Sequence, residues 1–88
     1  MIKIVQATPP PDNRISLVFS DGSFGELDLQ PLIDRNTELT EPLADAAFRN
    51  RFFLELGALC WPNGLELSAA SLHQRLRSTG HLRTVEAA

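Results

Sequence analysis

Eighty-eight residues, 43% hydrophobic and 22% charged with a net charge of −3, suit one ordinary globular domain, since a chain of this size buries roughly 60–65% of its unfolded surface around a single core. One cysteine, Cys60, excludes an intramolecular disulfide, and one Cys with two His leaves too few soft ligands for structural zinc; neither a metal nor a cofactor is expected. Met1 to Ala44 hold three basic and seven acidic residues and Asp45 to Ala88 five and four, an asymmetry too small for the basic face of a dedicated nucleic-acid binder.

The N-terminal stretch "MIKIVQATPP" lacks the apolar core of about 7–15 residues that a signal peptide needs, and no segment approaches the ~18 uninterrupted apolar residues of a membrane span. A cytoplasmic protein with no membrane partner is the expectation. The β-branched Ile2, Ile4 and Val5 set a first strand over Ile2 to Thr8, which Pro9, Pro10 and Pro11 end because proline gives a sheet no amide.

"RISLVFSDGSFGELDL" is a hairpin: Ile15, Leu17 and Phe19 alternate with Ser16, Val18 and Ser20, and Asp21-Gly22 marks the turn. A two-residue loop would set Leu17 opposite Glu26 and mix polar with apolar residues on both faces. A three-residue loop, Ser20-Asp21-Gly22 with Gly22 left-handed, sets Ile15 against Leu27, Leu17 against Gly25 and Arg14 against Asp28, and is preferred.

Leu29 to Leu39 loses the alternation and reads as a strand end with room for a helical turn, then a loop. "TEPLADAAFRNRF" reads as a short helix capped by Asp45, with Phe48 and Phe52 on one face and Leu43 placed for a staple across the first turn. "FFLELGALCWPNG" returns to extended structure as a second hairpin, with Gly57-Ala58 as its turn into Leu59, Cys60 and Trp61. Ser68 caps a last helix in which Leu72 and Leu76 lie one turn apart and Gly80 stops it. The expected architecture is α+β: a small antiparallel sheet of two hairpins plus an N-terminal strand, with two short helices packed on one face. Residues 1–79 form the domain, and 80–88 are expected to fray.

Few residues offer chemistry. His73 and His81 have no ligand-spaced partner and read as surface residues near a helix end, while Cys60 sits in an apolar run that would raise its pKa rather than activate it. Asp21, Glu26, Asp28 and Asp34 are read as solvated carboxylates with Arg14 among them, and no catalytic residue is assigned. Arg49, Arg51, Arg75, Arg77 and Arg83 lie on or beside the two helices and are candidate phosphate contacts if they gather into one patch. Trp61, Pro62, Asn63 and Gly64 form the remaining candidate, either a structural β-turn in which Pro62 takes the second position and Trp61 anchors the core, or a partner-binding hot spot.

"FSDG", "DLQPL", "EPL" with Asp45, and above all "WPNGLEL" resemble a family of small bacterial proteins known as domain of unknown function 2442. Glu66 stands where that family commonly has Asp, and Leu72-His73 replaces its usual Leu-Tyr. The resemblance implies a small α+β domain, in some relatives joined to a helix-turn-helix segment or set beside another small protein in a toxin–antitoxin-like gene pair. With nine residues after Thr79, no helix-turn-helix is expected here. The function expected is a non-enzymatic protein-interaction module that binds a protein partner or itself, the alternative being an accessory nucleic-acid contact through the arginines.

Overall fold

A computed structural model describes residues 1–9 and 12–84. Its elements are β1 (Ile4–Thr8), β2 (Arg14–Phe19), β3 (Phe24–Asp28), α1 (Gln30–Arg35), a 3₁₀ turn (Glu41–Ala44), α2 (Ala46–Arg49), β4 (Phe53–Glu55), β5 (Ala58–Cys60), β6 (Glu66–Leu67) and α3 (Ala69–Ser78). The α+β class stands, with two antiparallel sheets of three strands, β1-β2-β3 and β4-β5-β6, in place of the single expected sheet. Outside the strand ladders, the backbone bond between β1 and the β4–β5 hairpin is Ile4 N–H donating to the Gly57 carbonyl at 2.9 Å.

The β2–β3 hairpin has the three-residue loop. Arg14 pairs with Asp28, Ile15 with Leu27 and Leu17 with Gly25; Phe19 N–H donates to Ser23 O, and Gly22 takes φ 87°. The alternation puts Ile15, Leu17, Phe19 and Leu27 inward. β1 starts two residues later than expected and carries a register shift between Ile4 and Gln6.

Three helices form rather than two. α1 builds from the segment expected to be largely irregular, because Pro31 falls in the first turn, where no amide is needed. Asn36 ends α1 in the left-handed region at φ 52°. The Asp45 carboxylate accepts from Ala47 N–H to cap α2, and Ser68 Oγ accepts from Ser71 N–H to cap α3.

The second hairpin turns at Leu56-Gly57, one residue earlier than expected, with φ of 52° and 81°. Two positive φ values are what a two-residue hairpin loop requires. Glu55 then pairs with Ala58, and Phe53 with Cys60.

Residues 81–83 are hydrogen-bonded back to the domain. Gly80, at φ 77°, lets His81 N–H reach the Leu76 carbonyl at 2.8 Å and its own N–H reach Arg77 O at 3.2 Å, the paired bonds of a Schellman cap. The chain turns back, and Arg83 exchanges two 2.8 Å backbone bonds with Phe24. Residues 85–88 of the expected tail lie outside the described residues.

One core serves both sheets. Ile15, Leu17, Phe19 and Leu27 meet Leu59 and Trp61, and α3 closes it with Leu72 and Leu76. Burial at about 25 cal/mol per Å² of apolar surface is the main term holding these elements together.

Candidate functional site

The Trp-Pro-Asn-Gly turn is built inward. Trp61 is 1% exposed, its indole N–H donates to the Arg49 carbonyl at 3.1 Å, and Phe52 meets it edge-on at 6.4 Å. Gly64 N–H closes the β-turn on Trp61 O at 3.2 Å. Asn63 works in both directions, its Nδ2 donating to Leu39 O and its Oδ1 accepting from Leu65 N–H, each at 3.1 Å. The motif therefore ties the 39 loop, the end of α2 and β5 together, and of its four residues only Pro62, Asn63 and Gly64 reach the surface.

The five arginines serve different places. Arg49 Nη1 donates to the carbonyls of Leu43 at 2.9 Å and Ala44 at 3.4 Å, which spends its guanidinium inside the fold. Arg51 and Arg75 are exposed. Arg77 lines a shallow depression with His73, Gln74 and Ser78, whereas Arg83 lines a different concavity together with Arg14. Neither concavity gathers the five.

His73 is no bare surface residue. Its Nε2 lies 3.0 Å from Asp21 Oδ2 and its ring meets Phe19 edge-on at 5.0 Å. Asp21 also accepts from the Ser23 hydroxyl and, at 2.9 Å, from Ser23 N–H. The Ser23 bonds, with His73 adding to them, hold the Asp21 carboxyl below the usual aspartate range. Ser, Asp and His thus meet, but the hydroxyl is bonded to the carboxylate rather than to the imidazole, which is not the order of a nucleophilic triad.

Burial pushes the Cys60 thiol up, with Glu66 and Glu55 adding to the effect. That is the direction opposite to thiolate activation. Among the described residues, no three His, Cys, Asp or Glu side chains gather where a metal ion could sit, and no helix is long and apolar enough to cross a membrane.

Arg14 contacts Asp12 at 2.9 Å and Glu26 at 3.4 Å rather than its cross-strand neighbour Asp28. Arg14 and Glu26 line a groove of about 550 Å³ against the first sheet. Ser16, Val18 and Phe24 line it from the solvent face of β2 and β3, and Arg14, Glu26, Asp28, His81 and Arg83 stand around them. Gly25 pairs with inward-facing Leu17, and a Cβ on it would lie 2.6 Å from the His81 carbonyl oxygen, so glycine is what lets the returning chain pass this close to the core side of β3.

The β4–β5 hairpin presents the opposite kind of surface. Phe53, Leu54 and Leu56 are exposed large apolar residues, Leu56 at 93%. Val5 of the neighbouring β1 is exposed as well. Neither the groove nor this tip stood out in the sequence; a leucine immediately before Gly57 is a poor turn signal, although the alternating residues around it mark a hairpin.

No curated protein and no solved structure matches the chain. The family model described as Protein of unknown function (DUF2442) matches residues 4–78, a span that runs from the first residue of β1 to the last of α3. The chain belongs to the DUF2442 family.

Proposed function

We propose that this is a cytoplasmic, non-enzymatic protein-interaction module that makes contact through the β4–β5 hairpin, in a bacterial setting of the toxin–antitoxin-like kind. Its partner is a protein, either the product of a neighbouring gene or a further copy of the chain. The observation that carries the reading is Leu56, which combines a left-handed φ of 52° with 93% exposure.

A left-handed backbone costs a non-glycine residue on the order of 1–2 kcal/mol, and a leucine held in water returns none of it in the free chain. Asparagine or glycine would fit the turn better on both counts. Phe53 and Leu54 widen the apolar surface beside it. Contact with another protein would remove that surface from water.

Replacing Phe53 with the photo-reactive aromatic benzoylphenylalanine tests this in cells. Illumination is expected to give a discrete protein adduct, absent when the same group replaces exposed Ala70 of α3. Equal labelling at both positions, or none at Phe53, would refute the contact.

A further inference from the structure

A protruding leucine needs an apolar recess, and the chain itself carries one. The groove floor of Val18, Phe24 and Ser16 is on the solvent side of β2 and β3, with the returning residues His81 to Arg83 as its far wall. The hairpin tip touches the opposite edge of that sheet, where Gly57 meets Lys3 and Ile4. Knob and recess are therefore at different edges of one sheet, with β1 at the hairpin side and the Arg83 bridge at the other.

We propose that the hairpin's partner is a second copy of this chain, whose groove over Val18 and Phe24 receives Leu56. This rests on the reading of the hairpin as a contact surface. Two observations support it.

The volume fits, because about 550 Å³ falls within the roughly 300–1,000 Å³ of pockets that take up ligands and exceeds what one leucine side chain fills. The charges fit as well. Lys3 and Arg51 flank the hairpin with Glu55 between them, while the groove rim carries Asp28 and Arg83 beside the Arg14–Glu26 pair. Among the described residues, the ion pairs are Arg14 with Asp12, Arg14 with Glu26, and His73 with Asp21. Lys3, Arg51, Glu55, Asp28 and Arg83 thus make none among the described residues, and their signs allow pairs between copies.

The two surfaces are unlike each other, so the contact is heterologous. Each copy keeps a vacant groove or a vacant tip after pairing, and assembly proceeds head to tail.

Sedimentation velocity of the full chain across a dilution series is the test. Mass above that of one chain is expected to grow with concentration. Leu56→Asn, which suits the turn, removes the knob; Val18→Glu fills the groove, and Arg83→Glu reverses an exposed rim charge in case Val18→Glu disturbs folding, which circular dichroism would reveal. Each is expected to weaken association by roughly tenfold or more, as loss of a hot-spot contact does.

An equimolar mixture of Leu56→Asn with a groove variant is expected to recover a pair and nothing larger, since one intact knob meets one intact groove. A wild-type chain that stays monomeric at every concentration overturns the proposal, as do groove variants that assemble like wild type. If the chain is monomeric while Phe53 crosslinks a different protein in cells, the second-copy proposal alone falls. If it is monomeric and Phe53 crosslinks nothing, the contact surface itself is refuted.

Discussion

His73 Nε2 lies 3.0 Å from Asp21 Oδ2, joining the middle of α3 to the tip of the β2–β3 hairpin across 52 positions of sequence. Neither residue belongs to the core, yet the pair links α3 to the first sheet beside the Leu72 and Leu76 contacts, and the same imidazole rests edge-on against buried Phe19.

The Asp21 carboxyl is lowered below the usual aspartate value, chiefly by the Ser23 bonds and then by His73. A carboxyl lowered on folding adds stability that is fully present above its unfolded value, about 3.9, and that is lost as pH falls through the folded value. Asp12, lowered by its bonds to Arg14, acts in the same direction. Denaturant midpoints are therefore expected to fall on acidification from about pH 5 toward pH 3. Asp21→Asn should be less stable than wild type at neutral pH and should flatten the acid decline; an unchanged decline would place it in other carboxyls.

Trp61→Ala should destabilise the fold by about 3–5 kcal/mol, the range for deleting a buried large aromatic. Trp61→Phe keeps much of the packing but leaves the Arg49 carbonyl without its indole donor, for which about 1–3 kcal/mol is expected. Urea titration of both variants separates the packing contribution from the hydrogen bond. A Trp61→Ala chain as stable as wild type would contradict the anchor.

Gly25→Ala would put a methyl group 2.6 Å from His81 O. Backbone cannot yield as a flexible side chain can, so residues 81–83 should leave β3. Amide exchange reads this directly: protection at Phe24 and Arg83, which bond each other at 2.8 Å, should drop while Ile15 and Leu17 keep theirs. Retained protection at Arg83 would show that the strand shifts to accommodate the methyl.

These positions also mark what the sequence can and cannot disclose. The β2–β3 register was legible because Asp-Gly and the alternation of Ile15, Leu17 and Phe19 act within one hairpin, and a slip by one residue would turn Leu17 out to water. The caps Asp45 and Ser68 were legible for the same local reason. The His81–Arg83 return was not, since Gly25 acquires its meaning only when another segment approaches it. His73 and Asp21 are a tertiary pair with no spacing to announce them. In the candidate site, Pro62 and Gly64 made the turn legible but left Trp61 open between core anchor and contact residue, whereas the tip at Leu56 was hidden because a leucine occupies a turn position that favours asparagine or glycine.

That misfit supplies the last prediction. At φ 52°, Leu56→Asn should stabilise the isolated chain by about 1 kcal/mol, through relief of left-handed strain. Leu56→Gly should gain less, because glycine adds freedom to the unfolded chain that folding must remove. Leu56→Val should lose stability, as a β-branched residue tolerates positive φ worst. Thermal melts at low concentration, where association does not contribute, give the order Asn above Gly above Leu above Val. If leucine instead proves the most stable of the four in that regime, its side chain is already packed within the monomer and is not held ready for a partner. If the expected order holds, the native residue lowers monomer stability at the hairpin tip, as a contact residue can when binding rather than folding selects it.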